Sequence, residues 1–161
     1  MKASLRPYLP SEAQLLALIF QASIETLAED DYDTDQRAAW ASIADDVGAF
    51  AKRLAAGLTI VVLADGSPVG FASLAGADKL DLLYVHPDYA GQGLGSMLAD
   101  ALEKLAGARG AAQMTSDASD NAVPFFQKRG YEPQSRNSVM IGDEWLANTT
   151  MRKALGGKVD A

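Results

Sequence analysis

The segment LDLLYVHPDYAGQGLGSML, residues 80–98, contains an apolar run, a short break with proline, a glycine cluster and the start of an apolar helix. Strand-favouring residues stop at His86-Pro87, because proline lacks the backbone donor that a strand ladder needs. Beyond the glycines, apolar residues recur at three- and four-residue spacing from Met97 to Leu105, which predicts an amphipathic helix. The segment is therefore predicted to fold as strand, loop and helix.

The loop of this segment has the features of an anion site. Gly91, Gly93 and Gly95 lie just before the predicted helix. Glycine permits positive φ and close backbone approach, so the N–H groups of residues 92–96 are able to face one point. The N-terminus of a helix carries about half a positive charge, which favours a phosphate or pyrophosphate. Considered alone, the glycines are also compatible with a simple turn.

Two known phosphate motifs do not match this loop. The P-loop pattern requires a lysine after the glycines, and none is present. The dinucleotide pattern G-x-G-x-x-G fails because the three glycines are spaced by two throughout. The loop therefore belongs to neither class.

Residues 85–95, VHPDYAGQGLG, resemble the acetyl-CoA signature of the GNAT superfamily of N-acetyltransferases, V-x-P-x-x-[RQ]-G-x-G-x-[GA]. Ala90 stands where the signature usually has Arg or Gln, which leaves the backbone amides to hold the cofactor pyrophosphate. Residues 125–131, FFQKRGY, are similar to the family segment [LF]-[YF]-x-[KR]-x-G-[FY]. The resemblance implies acetyl-CoA as cosubstrate and transfer of its acetyl group, by direct attack, to a primary amine of a small molecule or peptide.

The periodicity along the chain predicts an α/β fold with the element order β-ααα-βββ-α-β-α-ββ. This order also resembles the GNAT fold, a central mixed, mostly antiparallel sheet of about seven strands flanked by helices. The length of 161 residues suits one domain, which we assign to residues 1–155, with a frayed tail at 156–161. Ser11 is predicted to cap the first helix, and the strand after the glycine-loop helix is predicted at residues 112–115.

Composition excludes several classes of function. Zero cysteines rule out disulfides and a cysteine nucleophile, and with a single histidine no metal site is expected. The net charge of −7 argues against a nucleic-acid partner; it either attracts cationic amines or only aids solubility. No apolar run approaches the roughly 20 residues of a membrane span and no signal-like start is visible, so a cytoplasmic protein without a membrane partner is expected.

The resemblance assigns cofactor contacts to the motif strand, the glycine loop and the start of the last predicted helix. A backbone N–H of residues 83–85 is expected to polarise the acetyl carbonyl, and we place this contact at Val85. Ser119 and Asn121 are expected to bind the cofactor, to cap the helix, or to do both. The expected cofactor residues are Leu83, Tyr84, Val85, Gly91, Gln92, Gly93, Leu94, Gly95, Ser96, Ser119, Asn121 and Phe126.

By resemblance, Phe126 matches the position of the Tyr that usually acts as general acid, so that assignment does not carry over. Tyr84, Tyr131 or water is then left to protonate the thiolate. Asp81 is the candidate base, since strand alternation puts it on the face of Leu83 and Val85; the alternative is a solvated charge.

The acidic tract at residues 29–35 is either a solvated surface or, by resemblance, part of the acceptor wall, where Tyr32 and Trp40 would contact the substrate. A homodimer is possible by the same resemblance. The alternatives to the small-amine enzyme are a catalytically impaired CoA-binding or interaction domain, suggested by Ala90 and Phe126, and a protein N-terminal acetyltransferase.

Overall fold

A computed structural model describes residues 1–156 of the chain, and these form seven strands and five α-helices. The elements are β1 (Ala3–Pro7), α1 (Ala13–Leu27), α2 (Thr34–Ala41), α3 (Val47–Ala56), β2 (Leu58–Ala64), β3 (Ser67–Ala75), β4 (Lys79–Val85), α4 (Leu94–Ala108), β5 (Gln113–Ser119), α5 (Val123–Lys128), β6 (Glu132–Ile141) and β7 (Glu144–Ala154). The predicted fold class and element order are confirmed. Most of the predicted tail, residues 157–161, lies outside the described residues.

All seven strands form one sheet in the order β1-β2-β3-β4-β5-β7-β6 within the described residues. Neighbouring strands are antiparallel, except that β4 and β5 are parallel and share only the register pair Lys79 and Thr115. Parallel neighbours require a crossover, which α4 provides. The short pairing means that β4 and β5 separate beyond this point.

Two hydrophobic layers cover the faces of the sheet. On one face, Leu98 and Leu102 of α4 pack with Phe126 of α5 and the sheet residue Met114. On the other face, helices α1 to α3 supply a second core that includes Phe20, Phe50 and Leu54. The apolar stripe predicted for the glycine-loop helix is thus the stripe that α4 buries.

A β-bulge interrupts the pairing of β3 with β4. Ser73 pairs with Leu82, but the next residue, Leu74, pairs with Leu80, so Asp81 is an extra residue on β4. As a result Leu80 belongs to the α4 layer and Leu82 to the α1–α3 layer, although they are two residues apart. The prediction that Asp81 shares a face with Leu83 and Val85 is wrong, because the bulge breaks the alternation.

Local details differ from the sequence predictions in two places. A 3-10 turn, Pro10–Glu12, precedes α1, and the Glu12 carboxylate, not the Ser11 hydroxyl, accepts the free N–H of Leu9. Strand β5 extends to Ser119, because it pairs with β7 over its whole length.

No helix among residues 1–156 is long and apolar enough to cross a membrane.

Candidate active site

The separation of β4 from β5 opens a cleft of about 380 Å³ in the sheet. At its closed end, the Thr115 N–H donates to the Asp78 carbonyl at 2.9 Å and the Ser116 hydroxyl donates to the Leu80 carbonyl at 3.0 Å. Beyond these bonds, the edge of β4 faces a gap instead of a strand.

The backbone of β4 presents N–H groups to this gap. The N–H of His86 donates to the Val69 carbonyl of β3 at 2.8 Å. Because the hydrogen-bonding direction alternates along an antiparallel strand, the N–H groups of Val85 and Leu83 point away from β3. These two groups therefore point towards β5 across the cleft.

A second cavity of about 480 Å³ lies at the glycine loop. Gly93 is the N-cap of α4 with φ +82°, and Gly91 has φ +76°, so both need the left-handed conformation that glycine adopts without strain. Three residues, Val85, Gly95 and Phe125, line both this cavity and the cleft. The two cavities therefore meet at the end of β4 and the first turn of α4.

An aromatic cluster forms the opposite side of the cleft. The ring of Tyr84 lies 4.6 Å from Phe20 and 6.4 Å from Trp40, and Trp40 lies 5.4 Å from Tyr32, between ring centroids. Burial raises the pKa of Tyr84 to about 12, against a smaller effect of a hydrogen bond from Trp40. Tyr84 is consequently a neutral hydroxyl at ordinary pH, able to donate a hydrogen bond but not to accept a proton from an amine.

The hydroxyl of Tyr32 joins three parts of the chain. It accepts the Asp120 N–H at 2.9 Å and donates to the Ala147 carbonyl at 2.5 Å. This bridge ties the loop after α1 to the loop after β5 and to β7. Tyr32 lines the cleft and is only 4% exposed. Its ring is part of the cleft wall, while its hydroxyl is already bonded within the protein.

Asp81 and Arg53 form a bidentate ion pair beside the cleft. The Arg53 Nε and Nη2 atoms donate to the two Asp81 carboxylate oxygens at 3.0 and 3.1 Å. An amine that used Asp81 as its base would have to displace one of these bonds. The geometry therefore favours a positioning role for Asp81 over the predicted role as base.

Tyr131, a predicted catalytic residue, lies elsewhere. Its hydroxyl donates to Glu103 at 2.8 Å, its side chain is 2% exposed, and it lines neither cavity. Burial and the Glu103 carboxylate both raise the pKa of Tyr131. The structure contradicts a catalytic role for this residue, because a packed core side chain has no access to the reacting groups.

The other predicted residues divide between the two cavities. The cleft is lined by Leu83, Tyr84, Val85, Gly95, Ser119, Asn121, Phe126, Tyr32 and Trp40. The loop cavity is lined by Gly91, Gly93, Leu94, Gly95, Ser96 and Val85. Gln92 lines neither cavity and is exposed.

Ser119 and Asn121 do not cap the following helix. The N-cap of α5 is Ala122, and no side chain accepts a hydrogen bond there. The Oδ1 atom of Asn121 is instead buried and has no hydrogen-bond partner among the described residues. A buried acceptor of this kind needs a donor from outside the protein, either water or a ligand.

The profile of the Acetyltransferase (GNAT) domain family matches residues 28–155. The chain belongs to the GNAT family. It is 32% identical to the uncharacterized N-acetyltransferase YafP of Escherichia coli K12 over 148 residues. This alignment covers 92% of this chain and 93% of that protein. The predictions of the family and of an acetyltransferase enzyme are thereby confirmed.

Solved structures agree with the GNAT assignment. A GCN5-related N-acetyltransferase from Rhodopseudomonas palustris is 59% identical, with a TM-score of 0.94 and 96% of each chain covered. The PaiA N-acetyltransferase of Thermoplasma acidophilum, in complex with coenzyme A, has a TM-score of 0.79 over 96% of this chain and 99% of that one. The latter is only 17% identical and shows the shared fold alone.

Sequence reasoning missed two charged residues of this GNAT site. Lys128 lines the loop cavity at the basic position of the FFQKRGY segment, so the motif itself was the available signal. Arg53 lies 28 residues before Asp81 on a helix, and nothing in the local pattern connects them. Only the packing of α3 beside β4 identifies that pair.

Proposed function

We propose that this GNAT protein transfers the acetyl group of acetyl-CoA to a primary amine by direct attack. The observation that carries the proposal is that the cleft and the glycine-loop cavity are adjacent and share the lining residues Val85, Gly95 and Phe125. A long cofactor with a thioester at one end and phosphates at the other fits such a path. The coenzyme A complex of the PaiA enzyme, which shares the fold, supports this choice of ligand.

The cleft would hold the pantetheine part through polar groups that the protein leaves without partners. The N–H groups of Leu83 and Val85 face the gap where a β5 ladder is missing. The buried Asn121 Oδ1 lies on the other wall and needs a donor, such as an amide N–H. An arm with amide groups would therefore complete the interrupted sheet.

The pyrophosphate would lie at the N-terminus of α4. Residues 94–96 belong to the first turn of that helix, where backbone N–H groups have no partner within the helix. Lys128 lines the same cavity and offers a positive charge. We propose that Lys128 supplies the cationic contact that Ala90 lacks.

Bound acetyl-CoA supplies a thioester carbonyl that an amine can attack. The carbon–nitrogen bond forms, the carbon–sulfur bond breaks, and the proton lost by the amine balances the thiolate that leaves. The Val85 N–H would stabilise the carbonyl oxygen as negative charge develops on it. Tyr84 would donate a hydrogen bond within the cleft, and water would carry the proton, since Asp81 is held by Arg53.

The experiment is calorimetric titration with acetyl-CoA of the parent protein and two glycine variants. Gly93→Asp places bulk and negative charge at the proposed anion site. Gly110→Asp is the matched control, because Gly110 also has a positive φ, +93°, and also has open space around a Cβ. We expect micromolar binding in the parent and the control, and loss of binding in Gly93→Asp.

The outcome decides between the enzyme and its main alternative. Equal loss in both variants would mean that strain, not the anion site, governs binding. Absence of binding in the parent would refute the proposed function. Tight binding without thiol release from any amine would favour the alternative of a catalytically impaired CoA-binding domain, for which Ala90 and Phe126 are the specific observations. The expected cytoplasmic location and the homodimer stay predictions.

A further inference from the structure

The part of the cleft opposite the glycine loop is apolar. We call it the acceptor end, and it lies between α1, α2 and the β6–β7 hairpin. Its apolar lining residues are Ile24, Leu27, Trp40, Ile43, Ile141 and Leu146. If the cofactor leaves the cleft past Gly95, this is the end that remains for the second substrate.

The charged side chains that line the cleft are already paired with one another. Among the described residues they are Arg53, Asp81, Lys79 and Asp117. Arg53 pairs with Asp81 at 3.0 Å, and Lys79 pairs with Asp117 at 3.3 Å. Each of these four described side chains therefore has an oppositely charged partner, and a second charge on the acceptor would have to compete for it.

Two neutral polar side chains of the acceptor end, Tyr32 and Asn148, also have an oxygen bonded within the protein. The Tyr32 hydroxyl bridges two backbone groups, as described above, and the Trp40 ring packs edge-on against Tyr32 and Tyr84. The Oδ1 of Asn148 accepts from the Asn137 amide at 2.9 Å. Apart from the Asn148 amide nitrogen, these residues present ring faces and aliphatic carbon to a substrate, which favour apolar or aromatic groups.

The geometry points to a primary amine carried on a neutral aromatic or branched apolar group as the acceptor of this enzyme. This inference rests on the proposed acetyl transfer and names the substrate class of the same site. The aromatic cluster would hold the apolar body, and its ring faces would also attract an ammonium group before it loses its proton. The net charge of −7 would draw the cationic amine towards the protein without selecting its body.

The test compares four acceptors by thiol release at saturating acetyl-CoA: 2-phenylethylamine, ethanolamine, spermidine and a lysine-containing peptide. Burial of a ring in an apolar pocket predicts a kcat/KM for 2-phenylethylamine about 10- to 100-fold above that of the other three. A higher kcat/KM for spermidine or the peptide would overturn the inference and leave the acetyltransferase intact. No release with any amine would overturn both.

Two exposed lining residues allow a charge test that does not depend on the core. Leu27 is 37% exposed and Val139 is 38% exposed, and both line the cleft. Leu27→Glu and Val139→Glu each add an unpaired carboxylate at the acceptor end. We expect each to lower kcat/KM for 2-phenylethylamine by about 10-fold or more and to raise that for spermidine.

Matched controls carry the same change on neighbouring surface. Leu18 lies on the same helix as Leu27, and Met140 adjoins Val139; both are exposed, and neither lines the cleft. Leu18→Glu and Met140→Glu should leave both kcat/KM values and acetyl-CoA affinity unchanged. Equal shifts in variants and controls would overturn the inference, because a general change of surface charge would then explain them.

Discussion

Two glycines of α4 permit a sharp test of the cofactor path. Gly95 lies in the first turn and lines both cavities, whereas Gly107 lies in the last turns and lines neither. A Cβ at Gly95 would lie 3.5 Å from the Phe125 ring, which is ordinary contact, and a Cβ at Gly107 would meet nothing within 4 Å. Neither glycine has a positive φ, so alanine fits the protein at both positions.

The two alanine substitutions should therefore have the same effect on stability, but only Gly95→Ala should weaken binding. Each should stabilise the helix by up to about 1 kcal/mol and raise the Tm by about 2–4 °C. Only Gly95→Ala places a methyl group in the proposed path. Overfilling a packed site costs about 1–3 kcal/mol, which corresponds to about a 5- to 150-fold weaker Kd for acetyl-CoA.

Thermal unfolding and calorimetry on the same preparations would measure both effects. Gly107→Ala should bind acetyl-CoA as the parent does. If Gly95→Ala also binds with unchanged Kd, the cofactor does not pass between the first turn of α4 and Phe125, and the argument from joined cavities fails. If Gly95→Ala loses stability, its effect on binding says nothing about the path, and the test moves to Phe125→Leu.

Three further substitutions test separate parts of the argument. Burial opposes ionisation of Glu103, but hydrogen bonds from neighbouring groups, above all Arg129, outweigh burial and lower the pKa of Glu103. The stabilisation that the ionised Glu103 provides is therefore complete above about pH 4.5 and is lost as the pH falls through the lowered pKa. Glu103→Gln should therefore lower the free energy of unfolding in urea by about 2–4 kcal/mol at pH 7, and its stability should fall less steeply below about pH 4.5 than that of the parent. An equally steep loss of stability at acid pH would contradict this. Tyr32→Phe leaves two backbone groups, including the Asp120 N–H, without their partner and should cost about 1–3 kcal/mol while raising the amine KM with acetyl-CoA Kd unchanged. Asp81→Asn should lower kcat by less than about 10-fold, whereas the loss of a true general base would lower it by about 100-fold or more.

The fold was largely predictable because its signals are local. Apolar periodicity defines the helices, and turn residues separate the strands, so the element order follows from neighbouring residues. The end of β5 was not predictable in this way. Residues 116–119, SDAS, are not strand formers, and they are extended because β7 pairs with them.

The two halves of the site differ in the same respect. The glycine loop depends on backbone conformations that its own residues require, so its motif predicts it from sequence. The partners of Asp81 and Tyr131 are 28 residues away in each case, and no local pattern specifies them. A tyrosine in a family motif and a carboxylate on the motif strand were therefore reasonable candidates, and only packing shows that Tyr131 lies outside both cavities and that Asp81 is paired with Arg53.

The bulge at Asp81 explains how one short strand serves both substrates. Strict alternation would put Leu80, Leu82 and Tyr84 on one face of β4, and the bulge moves the last two to the face opposite Leu80. Tyr84 thereby joins the aromatic cluster on the α1–α3 side, while Val85 packs on the α4 side, next to the glycine loop. The N–H of Val85 points into the gap between these two sides. The same extra residue thus puts Tyr84 on the side proposed for the amine, while the next residue, Val85, supplies the backbone donor proposed for the acetyl group.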